Sequence, residues 1–204
     1  MSEIILALIS AALVNNLVLH QGLAIDPALQ PSAGQDRRRL HALGLATLAL
    51  LVLAVTLGQL LYHYLLQPLQ LGYLRLFVLL PLCVLLIEPL LGLLSRALPS
   101  LPFDGLMPLL LGNVALLGLS LQVIEGAYGT LQTLAWSLGG GLGFWLALSL
   151  FADLRQRNDN EAMPESFRGL PAELIGAGVM ALAFLGFNGL FTSVSYTHLT
   201  LPTN

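Results

Sequence analysis

The residues with chemistry to offer are a few polar side chains set in apolar runs. Asn15 and Asn16 interrupt Leu13-Val14-Asn15-Asn16-Leu17-Val18-Leu19, and Asn113 interrupts Leu111-Gly112-Asn113-Val114-Ala115-Leu116-Leu117-Gly118. An amide buried without hydrogen-bond partners costs about 1–3 kcal/mol, so each asparagine must find some. Either they mark broken helices whose free backbone groups line a site, or they are interhelical contacts worth about 0.6 kcal/mol each. Composition alone favours the second reading. Glu88, followed by Pro89, is the acid set well inside an apolar stretch. An ionisable group there points to a proton or cation path. Arg96 lies only eight residues on, roughly 12 Å along a helix, so pairing or snorkelling near one membrane face is an equal reading.

Other chemistry is thinner. His20 and His63 have no second ligand at helical spacing and read as packed or interfacial residues. Gly139-Gly140-Gly141-Leu142-Gly143 superficially matches a phosphate loop, but lacks the lysine and Ser/Thr that such a loop needs. Close helix packing through small residues is the better reading. Cys83 is alone, which excludes an internal disulfide or multi-cysteine metal site. With no Ser-His-Asp arrangement, paired mid-membrane carboxylates or nucleotide fingerprint, no catalytic residue of its own is identified.

The elements that must position these residues follow from composition. The chain of 204 residues is 56% hydrophobic and 9% charged, with a mean hydropathy of +0.83. Soluble domains carry about 25% charged residues, so this chain cannot cover a globule with polar surface. It reads as an integral membrane protein, with the lipid bilayer as its solvent. Its eight cations are all arginine and sit in loops, which argues against nucleic-acid binding. The N-terminus lacks a basic start and a cleavage site, so the first apolar run is taken as a retained span.

Crossing roughly 30 Å of hydrocarbon takes about 20 apolar residues. Six stretches qualify, at about 4–25, 40–66, 72–94, 103–122, 128–153 and 170–191. Pro81 and Pro89 fall inside the third and are expected to kink it. Trp136, Trp145, Tyr62, Tyr64, Tyr73 and Tyr128 read in part as interfacial anchors. Arg37, Arg38, Arg39, Arg96, Arg155, Arg157 and Arg168 fall in the loops after spans one, three and five, leaving only Arg75 on the other side. The positive-inside rule places those loops in the cytoplasm and both termini outside. Three spans per half then require the second half to run inverted, with Asn16 and Asn113 midway along the first span of each. Such inverted repeats meet in transport or cofactor sites at the midplane. The expected architecture is all-α: one six-helix membrane domain over 1–192, its repeats covering about 3–95 and 101–191.

Several of these segments resemble the RnfA/NqrE membrane subunits. The resemblance rests on Leu13-Val14-Asn15-Asn16-Leu17-Val18-Leu19, Tyr73-Leu74-Arg75, and Pro108 followed by Asn113-Val114-Ala115-Leu116-Leu117-Gly118. It is closest in the sixth span, at Phe167-Arg168-Gly169, Leu174-Ile175-Gly176-Ala177-Gly178 and Leu182-Ala183-Phe184-Leu185-Gly186-Phe187-Asn188-Gly189-Leu190. It is colinear from about 3 to 191 and favours the RnfA branch. The resemblance implies six spans in two inverted repeats. It also implies a place in a bacterial inner-membrane complex that couples electron transfer to Na⁺ or H⁺ movement. The implied partners are a homologous membrane subunit of opposite topology (RnfE-like) and the other Rnf subunits. Each of the pair is expected to give two cysteines to a two-iron, two-sulfur cluster.

Here the chain departs from the family. Asp26-Pro27 stands where the family has Cys-Pro, and Asn113-Val114 where it has Asn-Cys. Clusters of this kind are held by thiolates, and a valine side chain has no donor atom. The fold expectation stands because packing does not need the thiols; the cluster, and with it the usual redox role, is not expected here. The competing expectation is a diverged non-redox transporter or channel using Asn15, Asn16, Asn113 and Glu88. The uncharged segment 193–204 resembles translated adaptor sequence and is set aside.

Overall fold

The computed structural model describes residues 2–22, 37–158 and 164–189. All regular structure in them is helical: α1 (Ser2–Ile9), α2 (Arg37–Leu61), α3 (Arg75–Ala97), α4 (Met107–Leu111), α5 (Ala115–Glu125), α6 (Thr130–Asn158) and α7 (Leu170–Leu185), with short π and 3-10 turns at several ends. Asp26 and the segment 193–204 lie outside the described residues.

Four segments are long and apolar enough to cross a membrane: Arg37–Leu66, Gly72–Ala97, Met107–Glu125 and Thr130–Arg157. Two shorter apolar helices, Ile4–Val14 and Leu170–Leu185, fall within the first and sixth expected spans. The protein is an all-α membrane protein. Leu85, Phe77 and Leu182 point outward at 72%, 79% and 67% exposure. Apolar surface of this kind would be an aggregation hazard in water and is ordinary in lipid.

Two of the expected spans are broken rather than continuous. The first span is helical only to Val14, where a π turn over Ser10–Val14 ends and the chain turns at Asn15. The fourth is split into α4 and α5 by Gly112, Asn113 and Val114. The third span, by contrast, stays one helix through both Pro81 and Pro89.

Packing centres on α2 and α6, which lie against each other along their length. Apolar attraction does not drive helices together in lipid, so close approach has to come from small residues. The glycine-rich stretch of α6 supplies it. A Cβ on Gly141 would come within 2.8 Å of Leu48 Cα on α2, and one on Gly139 would run into the Leu8 carbonyl on α1. The stretch is therefore a packing surface with helices against two of its sides. Around the central pair, α1 packs on α6 and α5 on α2, while α3 flanks α2 and α7 flanks α6. Exchanging the first three spans with the last three maps each of these contacts onto another.

Candidate functional site: two broken helices capped by asparagine

Asn16 is fully buried at the end of the first broken helix. Its Oδ1 accepts hydrogen bonds from the backbone N–H groups of Val18 (3.0 Å) and Leu19 (3.1 Å). Its Nδ2 donates to the carbonyls of Ala12 (2.8 Å) and Gly143 (2.9 Å). One side chain thus ends a helix, caps the turn after it, and ties both to α6. The bond to Gly143 is possible only because that residue lacks a Cβ, which would sit 2.6 Å from the Ala12 carbonyl oxygen. Broken helix and glycine stretch are one device.

Asn113 repeats half of this arrangement. It is 4% exposed, and its Oδ1 accepts from the N–H of Ala115 (3.1 Å), the first residue of α5. Val114 is the N-cap position of α5 and caps nothing with its side chain; Asn113, one residue before it, closes a short turn onto the first helical N–H, one of the donors a helix start leaves unsatisfied. The Nδ2 of Asn113 is buried and has no partner among the described residues. Asn15 is different: its Nδ2 donates to Ser10 Oγ (3.0 Å) within its own segment. Gln21 Nε2 donates to Gln122 Oε1 (3.1 Å), linking the stretch after the first break to α5. Asn16 and Asn113 therefore sit at helix breaks, and of the three asparagines only Asn16 bonds to another helix among the described residues.

The other expected site residues are dispersed. Val114 is 53% exposed, so the second family thiol position faces away from the core of this chain. Glu88 lies on the outer face of α3 without a hydrogen-bond or ion-pair partner among the described residues, and it is not brought to the asparagines. Cys83 is buried in the core on α3, at neither family thiol position. His63 Nδ1 lies 3.0 Å from Gln67 Oε1 on the exposed surface, and His20 is exposed beside the first break.

The donor chemistry does not fit the family's cluster. Val114 offers no ligand atom. No electron step can be derived through such a cluster from these residues.

Sequence reasoning missed three features. A cavity of about 430 Å³ lies between the turn after Asn16 and α7, lined by Val18, Leu19, Gln21, Phe151, Ala177 and Met180 among others. Arg155 on α6 pairs with Glu173 on α7 at 2.7 Å, with both side chains under one-fifth exposed. Arg75, the arginine assigned to the opposite side, pairs with Glu125 at the end of α5 at 2.9 Å. The opposite charges of these pairs were visible in the sequence, but nothing in it matched acid to base across distant helices.

Comparison with known proteins bears on the same segments. Residues 4–191 match the family described as "Rnf-Nqr subunit, membrane protein". A protein of Syntrophotalea carbinolica, named as the A component of an ion-translocating oxidoreductase complex, is 38% identical over 93% of this chain and 98% of its own. Its namesake from Pseudomonas aeruginosa is also 38% identical over the same shares. The A component of the Na(+)-translocating ferredoxin:NAD(+) oxidoreductase complex of Acetobacterium woodii is 35% identical over 92% of this chain and 97% of its own. With both broken helices and all six apolar segments inside the matched range, the chain belongs to the Rnf-Nqr family of membrane subunits.

Proposed function

We propose that this chain is a membrane component of an Rnf-type complex that couples electron transfer to Na⁺ or H⁺ movement. In this reading it keeps the assembly role of RnfA while lacking the RnfA cluster ligands. The observation that carries the reading is near-full-length similarity to proteins named for such complexes, combined with Asp26 and Val114 at the thiol positions. Its partner is a homologous membrane subunit of opposite topology. The repeats run over about 3–95 and 101–191 in opposite senses, with the arginine-bearing loops cytoplasmic and both termini periplasmic. The exchange pattern of helix contacts and the matching asparagine breaks support this arrangement.

The test is to purify the tagged chain with its partner subunits and record visible and EPR spectra of the reduced complex. Co-purification, without a cluster signal that depends on Asp26 or Val114, is the expected outcome. A stoichiometric intramembrane cluster signal abolished by Asp26→Ala or Val114→Ala would overturn the missing-ligand half. Isolation of the chain alone from native membranes would overturn the assembly half.

A second reading, a non-redox transporter or channel, is favoured by one observation: two capped helix breaks in a chain without cluster thiols. Ion flux in liposomes holding only this chain, without electron donors, would support it. Flux no greater than in empty liposomes, with insertion verified, dismisses it.

A further inference from the structure

Of the four long apolar segments among the described residues, α3 has the most open outer face. Only 22% of its most apolar stretch is buried, against 56%, 50% and 61% for the other three long segments. Phe77, Pro81, Val84, Leu85, Glu88 and Gly92 are all exposed. At about 100° per residue they fall on one stripe, centred on the carboxylate. Glu88 is 13 residues from Arg75 and eight from Arg96, about 20 Å and 12 Å along the axis. It therefore lies within the span, about two helical turns from Arg96 and between three and four from Arg75.

The polar character of the stripe is one-sided. Pro81 and Pro89 lack the N–H groups that would bond the carbonyls of Phe77 and Leu85 in an uninterrupted ladder. The face thus carries one acid, and the Phe77 and Leu85 carbonyls lose their usual ladder donors. Arg96, two turns on, makes no ion pair with Glu88. The outer face of α7 makes the contrast. There Leu174, Ile175, Val179 and Leu182 are exposed, and the nearby Glu173 is neutralised by Arg155. That face suits lipid; the α3 face does not. Gly92 adds room, because a Cβ there would meet nothing within 4 Å, so another helix backbone can come close.

We infer that this stripe is covered, in the assembled complex, by a transmembrane helix of another polypeptide that brings a hydrogen-bond donor side chain to the level of Glu88. The inference rests on the reading of the chain as one part of a larger membrane assembly, and it names the surface that the neighbour covers. Charge complementarity selects the occupant: an acid on an otherwise apolar face is matched by an arginine, lysine or amide on the facing helix, whereas acyl chains offer it no partner and the same face of a second copy would set acid against acid.

A photo-reactive diazirine amino acid placed at Leu85, and separately at Leu182, tests it in native membranes containing the whole complex. The expected result is an adduct from Leu85 to a different polypeptide, at a segment with a donor side chain within one turn, and lipid adducts from Leu182. Lipid adducts alone from Leu85, or adducts to a second copy of this chain, overturn the inference. Glu88→Leu is expected to reduce recovery of that neighbour at least tenfold while leaving the isolated chain as stable as before, and Glu88→Gln to retain most of it. Undiminished recovery with Glu88→Leu overturns the role of the carboxylate. Recovery of an intact complex with only lipid at Leu85 sinks this inference and spares the assembly reading; recovery of the chain alone sinks both.

Discussion

Gly143→Ala adds one methyl group at the point where the first broken helix meets α6. The new Cβ would lie 2.6 Å from the Ala12 carbonyl oxygen, 2.9 Å from Asn16 Nδ2 and 3.0 Å from Ala12 Cα. Two of those atoms are backbone and cannot swing aside, so the π turn Ser10–Val14 that continues α1 has to move away from α6. Overpacking of this kind costs about 1–3 kcal/mol. Moving α1 also strains the Asn16 Nδ2 bond to the Gly143 carbonyl, worth about 0.6 kcal/mol for an average contact in a membrane. Against this, alanine is the better helix former by up to about 1 kcal/mol. The expected net loss is about 1–3 kcal/mol. Gly92→Ala is the matched control: the same propensity gain with nothing within 4 Å of the new methyl. Unfolding in detergent micelles can be followed by tryptophan fluorescence, since both tryptophans, Trp136 and Trp145, are on α6. Gly143→Ala is expected to melt clearly below wild type and Gly92→Ala at or above it. Equal midpoints for the two variants would refute the close contact between α1 and α6, and with it the geometry of the Asn16 cap.

Asn16→Leu removes two capping bonds and two donated bonds at once, and is expected to cost about 2–4 kcal/mol; Asn15→Ala, losing one local bond to Ser10, is expected to cost less than about 1 kcal/mol in the same unfolding assay. Glu173→Gln leaves Arg155 without its acid in a largely enclosed site, for an expected loss of about 1–3 kcal/mol, between the values for surface and buried pairs. Asp153→Asn breaks only the exposed contact with Arg37 and is expected to shift stability by less than about 0.5 kcal/mol. Asp26→Ala is expected to leave membrane insertion intact, measured as yield in the membrane fraction; loss of the protein from that fraction would make the acid structural.

Composition and patterning alone determined that this chain dissolves in lipid and folds as helices. Uninterrupted apolar runs of about 20 residues, rather than short alternating ones, satisfy their backbone in lipid as helices. Asn16 and Asn113 also announced themselves as anomalies, because an amide in an apolar run must be bonded to something. What each is bonded to was not legible. A sequence shows that Gly143 is small, but not that its carbonyl receives Asn16 across a gap of 127 residues. Glu88 shows the same limit from the other side: its position eight residues before Arg96 allowed a local pair, and only the rotation of α3 about its axis decided that it faces outward, without a partner among the described residues. Local spacing fixes which residues share a helix and which share a face of it. Which face is turned inward is settled by the packing of all the helices together, where a few small residues choose the contacts and every other orientation follows.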